Sequence, residues 1–258
     1  MALSATHHFI LRDFSRKGLL PRHGALLEIG EANWYGNVDP HILATDIQEF
    51  VCDPPRRDAL MQRLDQLLAD KPPTYLFDLV KIFYEIYFEP SEMQAVDFEG
   101  TAHAHPFDLN LPLALSRRFE VVINHGTAEH IFNIGQVFKT IHDFTIPGGV
   151  MIHESPFTGW IDHGFYSLQP TLFFDLAASN HYSLAVFIED LAAKTVTQLQ
   201  SRDQLYELAR SKQLPDNAML LTIFKKDPDD RPFEIPIQGY YRQALSERGI
   251  AAWTELRY

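Results

Sequence analysis

Several features are scarce in this sequence, and each scarcity excludes a class of protein. Cys52 is the only cysteine, which excludes an intrachain disulfide and a zinc site built on cysteines. A single cysteine is typical of a reducing compartment, so we expect a cytoplasmic protein. The first residues lack the basic start and apolar run of a signal peptide. No apolar stretch is long enough to cross a bilayer, so we expect no membrane partner.

Positive charge is also scarce. The chain has 22 lysines and arginines against 34 aspartates and glutamates, and its net charge is −12 with histidine neutral. Proteins that bind nucleic acids carry clusters of basic residues that neutralise phosphates. Here the basic pairs Arg56-Arg57 and Arg117-Arg118 stand alone. We therefore predict a small-molecule substrate and no nucleic-acid partner, and we leave a homodimer open.

Glycine is scarce after the first predicted strand, residues 25–30, which reads Ala-Leu-Leu-Glu-Ile-Gly. A dinucleotide-binding turn needs several glycines to cradle a pyrophosphate. Here Gly30 is followed by Glu31 and Ala32, and the charge of Glu31 would repel a phosphate. The turn therefore favours a ligand without phosphates over NAD. A glycine that only ends a buried strand is the structural alternative.

Segments with the periodicity of strands and of helices alternate along the chain. This alternation predicts an α/β fold with a mostly parallel sheet covered by helices. The predicted strands are residues 25–30, 93–97, 119–124, 150–153, 183–188 and 219–224. The predicted helices are residues 55–69, 75–88, 132–144, 170–180 and 202–212. Residues at about 40–75 form a predicted helical insertion, and residues at about 227–258 form a tail rich in proline and aromatics.

Polar residues follow several of the predicted strands. Ligands of open α/β sheets bind outside the carboxyl ends of the strands, so these residues are candidates for a site. Asp97 is the candidate that would accept the two hydroxyls of a ribose, and Asp46 competes with it. We prefer Asp97 because a long predicted helix, 75–88, precedes its strand as a crossover should.

Several of these segments resemble class I S-adenosylmethionine-dependent methyltransferases, in particular a bacterial subgroup with a Gly-Thr-(Ala/Thr)-Glu-His signature. The most specific match is the run 124–133, Asn-His-Gly-Thr-Ala-Glu-His-Ile-Phe-Asn. Further matches are Leu-Glu-Ile-Gly at 27–30, Ala-Val-Asp-Phe-Glu-Gly at 95–100, Phe-Asp-Leu-Asn at 107–110, Pro-Gly-Gly at 147–149 and Ile-Asp-His-Gly-Phe-Tyr at 161–166. The resemblance covers roughly residues 25–225 and implies a Rossmann-like sheet of seven mostly parallel strands with helices on both faces. We predict a single methyltransferase domain over residues 1–258.

The resemblance also implies S-adenosylmethionine as the cofactor, and transfer of its methyl group to nitrogen or oxygen of a small-molecule acceptor. The implied roles follow the matching positions. Glu28 and Gly30 would lie beside the amino-acid part of the cofactor. Asp97 would hold the ribose hydroxyls.

The remaining cofactor positions implied by the resemblance come later in the chain. Asp108 and the backbone of Leu109 would contact the edge of the adenine. Asn124 and Gly126 would line the cofactor near its methionine end. These residues complete the predicted cofactor site.

The chain contains twelve histidines, and several fall in or near the predicted site. A histidine can take a proton from an amine or hydroxyl as that group attacks a methyl group, so His130, His153 and His163 are candidates for a catalytic base. Orientation supplies most of the help in an in-line displacement, so a base is useful rather than obligatory. Residues after the fifth strand often cover the acceptor pocket in this architecture. The predicted substrate-binding residues are His125, Glu129, Trp160 and Tyr166.

Two alternatives stay open. The later glycines of the first motif are replaced by Ala32 and Trp34, which fits a cofactor-binding subunit without transferase activity. The second alternative is a metal-dependent enzyme with ligands drawn from His125, His130, His153 and Glu154. Tight ligand spacing of the His-Glu-x-x-His kind is absent from the sequence, so we predict no metal site.

Overall fold

Eight strands pair into one sheet in the computed structural model, which describes residues 3–34 and 38–255. The strands are β1 (Ala25–Ile29), β2 (Glu92–Asp97), β3 (Ala104–Pro106), β4 (Phe119–His125), β5 (Thr145–Thr158), β6 (Ser183–Asp190), β7 (Thr195–Leu199) and β8 (Ala218–Lys225). Their order across the sheet is β3-β2-β1-β4-β5-β8-β6-β7. The helices are α1 (Ala5–Arg16), α2 (Ile42–Phe50), α3 (Pro54–Asp70), α4 (Tyr75–Tyr87), α5 (Ile134–Phe144), α6 (Pro170–Asn180), α7 (Arg202–Arg210) and α8 (Glu247–Glu255).

The sheet has a parallel part and an antiparallel part. Strands β3, β2, β1, β4 and β5 are parallel to their neighbours, whereas β8 is antiparallel to β5, and β6 is antiparallel to both β8 and β7. The predicted α/β fold with a mostly parallel sheet is confirmed. The predicted number of seven strands is wrong, because β7 adds an eighth strand at the edge. Most of β7 is exposed and polar, so it carries no apolar signal.

Two apolar cores cover the two faces of the sheet, because side chains alternate between the faces along each strand. In β1, Leu26 packs in the core that includes α4, whereas its neighbour Leu27 packs in the core that includes α5. Helices α1 to α4 supply the first core, and α5 to α7 supply the second. The parallel strands are therefore covered on both sides, as their continuous apolar runs require.

Helix α1 precedes the first strand, and the sequence analysis predicted no element there. The side chain of Ser4 accepts a hydrogen bond from the backbone N–H of His7 and so caps the helix. His7 and His8 follow and are fully buried. Because two adjacent histidines carry no apolar signal, the periodicity that predicts helices could not reveal this one.

The predicted helical insertion at about 40–75 contains two helices, α2 and α3. Asp53 begins α3 by accepting a hydrogen bond from the backbone N–H of Arg56, and two prolines fill its first turn. Both helices pack into the same core as α4. Across residues 3–34 and 38–255, every helix is too short or too polar to cross a membrane.

Candidate functional site

A cavity of about 680 Å³ opens at the carboxyl edge of the parallel strands. Its walls come from the end of β2, the loop after β3 and the turn after β4. The lining residues are Asp97, Phe98, Phe107, Asp108, Leu109, Asn110, Thr127, His130 and Ile131. A volume of this size suits a small-molecule ligand. The structure thus brings together four residues that the sequence analysis had selected, namely Asp97, Asp108, Leu109 and His130.

The turn after β1 is held by buried hydrogen bonds. Gly30 has a φ of +80°, a conformation that favours glycine, and its N–H donates to the carbonyl of Val96. The carboxyl group of Glu28 accepts from the backbone N–H of Ala32 at 3.1 Å and from the Tyr84 hydroxyl at 3.0 Å. Burial raises the pKa of Glu28 to about 8, although these two hydrogen bonds act to lower it. Glu28 therefore fixes the shape of the turn.

Glu31 lies in the same turn, and its side chain is buried. Its carboxylate accepts hydrogen bonds from Lys81 Nζ at 3.0 Å, from the Thr101 N–H at 2.7 Å and from the Thr101 hydroxyl at 2.9 Å. The charge that was expected to repel a phosphate is therefore paired with a lysine. These contacts connect the turn after β1 to the loop after β2.

Asp97 and Asp108 contribute carboxylates to the cavity. Asp97 Oδ2 accepts from the Glu31 N–H at 2.8 Å, and Asp97 Oδ1 accepts from the Glu99 N–H at 2.9 Å. Asp108 Oδ1 accepts from the backbone N–H and the side-chain amide of Asn110, and these hydrogen bonds lower the pKa of Asp108. A carboxylate has about four acceptor positions, so each group keeps capacity for ligand hydroxyls or amines.

The turn after β4 is organised by Asn124 and Gly126. Asn124 Oδ1 accepts from the N–H groups of Thr127 and Ala128, which fixes the start of a short 3₁₀ turn, Ala128–His130. Gly126 has a φ of +67°. A Cβ atom at position 126 would lie 3.1 Å from Glu129 Oε1, which is a crowded distance. The turn therefore needs glycine at 126 for both its backbone conformation and its contact with Glu129.

Glu129 is fully buried, and neither of its carboxylate oxygens has a hydrogen-bond partner on another described residue. Burial raises the pKa of Glu129 to about 7, and the negative charge of Glu154 acts in the same direction. His163 Nε2 lies 4.0 Å from Glu129 Oε1. The ring of His163 also lies 5.0 Å from that of His130 and 4.8 Å from that of Trp160, between centroids. The structure thus brings two of the three predicted catalytic histidines to a predicted substrate residue.

The segment after β5 packs against the same turn. The Tyr166 hydroxyl donates to the carbonyl of Phe132, and the Tyr166 N–H donates to the carbonyl of Glu129. Trp160 Nε1 donates to the carbonyl of Ala218 at 2.9 Å. Both aromatic residues predicted to bind substrate are therefore held in fixed positions beside the turn after β4.

The third predicted catalytic histidine, His153, lies elsewhere. Its ring is surrounded by those of Phe138, Phe173 and Phe224, at centroid distances of 5.4 to 5.9 Å. Burial is the main cause that lowers the pKa of His153 to about 3. His153 also contacts the side-chain amide of Asn124, at 3.4 Å. The structure thus places His153 in an aromatic core, apart from the paired rings of His130 and His163.

His125 belongs to a second buried group, on the face of the sheet that α1 covers. His7 Nδ1 lies 3.2 Å from Glu154 Oε2, and His125 Nδ1 lies 3.3 Å from the same oxygen. The two imidazole rings are 4.0 Å apart between centroids. The metal-dependent alternative drew its ligands from His125, His130, His153 and Glu154. Of these four, the structure places His125 and Glu154 in contact. It adds His7, which the sequence analysis missed because α1 was not predicted.

Asp46, the competitor of Asp97, lies in α2 and is fully buried. It accepts a hydrogen bond from the Tyr87 hydroxyl at 2.8 Å and contacts His8 Nε2, and Arg12 Nε lies 3.3 Å away. Asp46 is therefore paired with residues of α1 and α4, and it does not line the cavity that contains Asp97.

Comparison with known proteins finds no matching family model and no matching curated protein. Among solved structures, the chain is similar to N-methyltransferase NodS from Bradyrhizobium japonicum WM9 in complex with S-adenosyl-L-homocysteine, at 11% identity over 86% of each chain and a TM-score of 0.44. It is also similar to StiE O-MT residues 961–1257, at 13% identity over 98% of this chain and 82% of that one, with a TM-score of 0.45. A third is TehB from Haemophilus influenzae, at 8% identity over 87% of this chain and 64% of that one, with a TM-score of 0.44. Similarities of this size assign no role to any residue here.

Proposed function

We propose that this chain is an S-adenosylmethionine-dependent methyltransferase that methylates nitrogen or oxygen of a small molecule. One observation carries the proposal: three separate motifs of the family resemblance line a single cavity at the carboxyl edge of the sheet. They are the end of β2 with Asp97, the loop with Asp108 and Leu109, and the turn with Thr127 and His130. The three motifs belong to separate segments between residues 97 and 130, and all of them contribute to the wall of this cavity.

The cavity has the chemistry that an adenosine group needs. Asp97 keeps acceptor capacity for ribose hydroxyls beyond its two backbone hydrogen bonds. Phe98, which is 71% exposed, lies with Phe107 at the cavity wall and offers a ring against which an adenine can stack. Leu109 is buried and supplies an apolar surface.

The methionine end of the cofactor would lie between the turns after β1 and β4, where Gly30 and Gly126 allow a ligand to approach the backbone closely. Glu28 would position the turn after β1 and would not contact the cofactor, because its carboxyl group accepts hydrogen bonds from the Ala32 N–H and the Tyr84 hydroxyl. The bound sulfonium would supply the methyl group.

Glu129 is the group that we assign to the acceptor proton. The Glu129 carboxylate would accept the proton that the acceptor nitrogen or oxygen loses on methylation. A pKa of about 7 suits a base at neutral pH. His163, 4.0 Å away, can take the proton on to solvent because its side chain is partly exposed.

Calorimetry with S-adenosylhomocysteine tests the cofactor assignment. Asp97→Asn preserves the size of the side chain, and we expect it to weaken binding by about tenfold or more because a charged acceptor is lost. Glu99→Gln, two residues later and exposed, is the matched control and should bind normally. No heat of binding to the wild-type protein at millimolar ligand would contradict the proposal.

Turnover separates the proposal from the open alternative of a cofactor-binding subunit. We expect methyl transfer to some member of a panel of small amines, phenols and alcohols. Glu129→Gln should lower the rate while leaving the affinity for S-adenosylhomocysteine unchanged. Tight cofactor binding without turnover on any acceptor would instead favour a non-catalytic subunit.

A further inference from the structure

Three buried side chains from distant parts of the chain converge beneath α1. His7 comes from that helix, His125 from the end of β4 and Glu154 from the middle of β5. Their exposed fractions are between 0% and 2%. Their three nearest donor atoms, two imidazole nitrogens and one carboxylate oxygen, all lie within 4.8 Å of one another.

Two separations within this group match those of ligands in a tetrahedral metal site. When zinc bonds to nitrogen and oxygen are about 2.0–2.1 Å long, neighbouring ligand atoms lie about 3.3–3.4 Å apart. The distances from Glu154 Oε2 are 3.2 Å to His7 Nδ1 and 3.3 Å to His125 Nδ1. Both rings therefore point the same nitrogen at one oxygen, with the separations of ligands around a common ion.

The charge balance around Glu154 also favours a cation. A buried carboxylate is costly unless an opposite charge compensates it. Within 4.0 Å, the described part of the chain offers Glu154 two histidines and neither a lysine nor an arginine. Its electrostatic neighbours include Glu129 and Glu189, whose pKa values are raised by burial first and by Glu154 in addition. The group is therefore rich in carboxylates.

The hydrogen-bonding capacity of the two histidines also fits metal binding. The outer nitrogens, Nε2 of His7 and Nε2 of His125, are buried, and among residues 3–34 and 38–255 neither has a hydrogen-bond partner. Hydrogen bonding within the protein thus leaves this group incomplete.

We propose that His7, His125 and Glu154 bind one zinc ion, which connects the N-terminal helix to the two central strands. Two histidines and one glutamate are a known zinc ligand set that leaves a fourth position for water or a substrate atom. The site is next to the proposed catalytic turn, because Gly126 follows His125 directly and donates its N–H to the Glu154 carbonyl. The ion would be bound whether or not methyl transfer is the activity.

Metal titration of the full chain tests the proposal. Protein stripped with a chelator is titrated with Zn²⁺ against a chromogenic chelator, and with Co²⁺ by visible absorption. We expect one tight site per chain and the intense bands of tetrahedral Co²⁺. His125→Asn and Glu154→Gln should each weaken Zn²⁺ binding by more than about a hundredfold, since even substitutions outside the ligand shell cost about 10–100-fold.

His153→Asn is the matched control, because His153 is buried, adjacent to Glu154 on the same strand and directed to the opposite core. It should retain the site. Circular dichroism checks that each variant folds. If a variant does not fold, the cobalt spectrum of the wild-type protein decides whether the site exists. The proposal is overturned if folded wild-type protein has no stoichiometric site or gives only weak octahedral Co²⁺ bands. It is also overturned if His163→Asn, in the neighbouring Glu129–His130–His163 group, removes the site while His125→Asn and Glu154→Gln retain it.

Discussion

Glu129 lies in the turn after β4 and Glu154 lies in the neighbouring strand β5; both are buried, yet their pKa values shift in opposite directions. Glu154 Oε2 has two imidazole nitrogens within 3.3 Å, and the pKa of Glu154 falls to about 2 because these hydrogen bonds outweigh burial. Glu129 has no hydrogen-bond partner on another described residue, and burial raises its pKa to about 7. The two carboxyl groups share similar burial, so their hydrogen-bond partners decide the direction of the pKa.

This difference separates structural from reactive groups. A carboxylate that is ionised at every working pH and holds two elements together contributes to stability, and cannot exchange a proton at neutral pH. A carboxyl group that titrates near neutrality can do so, and its burial lowers the stability of the fold in its charged form. Glu154 is therefore a structural carboxylate, whereas Glu129 is a carboxyl group that can exchange a proton at neutral pH.

The largest expected effect comes from removing the charge of Glu154. A carboxyl group with a pKa of about 2 in the fold instead of 4.5 stabilises the folded state by about 3 kcal/mol above pH 5. Because the folded pKa is lowered, this contribution is present above pH 4.5 and is lost as the pH falls towards 2.

We expect Glu154→Gln to lower the free energy of unfolding by about 3 kcal/mol at pH 7. Urea denaturation in the presence of a chelator measures this without any metal. A loss no larger than that of the exposed control, Glu99→Gln, would show that the two histidines do not hold Glu154.

A smaller effect of opposite sign is expected at Glu129. Its pKa is raised from 4.5 to about 7, so the unfolded chain ionises first as the pH rises. Stability is lost between about pH 4.5 and 7 and is constant above that window, with a total of about 2–3 kcal/mol. We expect Glu129→Gln to be more stable than the wild type at pH 8 by about that amount and equal to it at pH 4.5.

Denaturation curves at several pH values measure the difference between this variant and the wild type. Taking the difference removes the contribution of Glu28, which also titrates at a raised pKa of about 8. A difference that stays constant from pH 4.5 to 8 would mean that Glu129 has an ordinary pKa, and the contrast with Glu154 would then disappear.

Much of the edge of the sheet could be predicted from the sequence. Continuous apolar runs such as 119–124 identify buried parallel strands, and their carboxyl ends meet at one edge, so Asp97 and Gly126 were expected to lie close together. The short strand β3 and the exposed strand β7 carry no such run, so the apolar pattern predicts six of the eight strands. An apolar pattern reveals a strand only where most of its side chains are buried, and most side chains of β3 and β7 are exposed.

The buried group beneath α1 could not be predicted in the same way. His7 and Glu154 are 147 positions apart, and no local pattern links them. The sequence does show His125 and Glu154 after adjacent strands, which is why both were considered as metal ligands. Because the predicted strand ends at residue 153, the sequence does not show that Glu154 continues β5, with its side chain on the face opposite to that of His153.

The smallest expected effect comes from adding one methyl group beside Glu129. Gly126 and Gly18 have nearly the same φ, +67° and +65°. A Cβ atom at 18 would meet nothing within 4 Å, whereas one at 126 would lie 3.1 Å from Glu129 Oε1. Gly18→Ala should lower the free energy of unfolding by about 1 kcal/mol, because alanine is strained in the left-handed region. Gly126→Ala carries the same strain and also displaces a buried side chain, so we expect about 1 kcal/mol more. Urea denaturation of both variants gives the difference. If they are equally destabilised, the Glu129 side chain can move away at no cost, and its raised pKa would belong to one of several positions of the side chain. A difference of the expected size would mean that the fold holds this carboxyl group, without a partner, in the one place where it faces the turn.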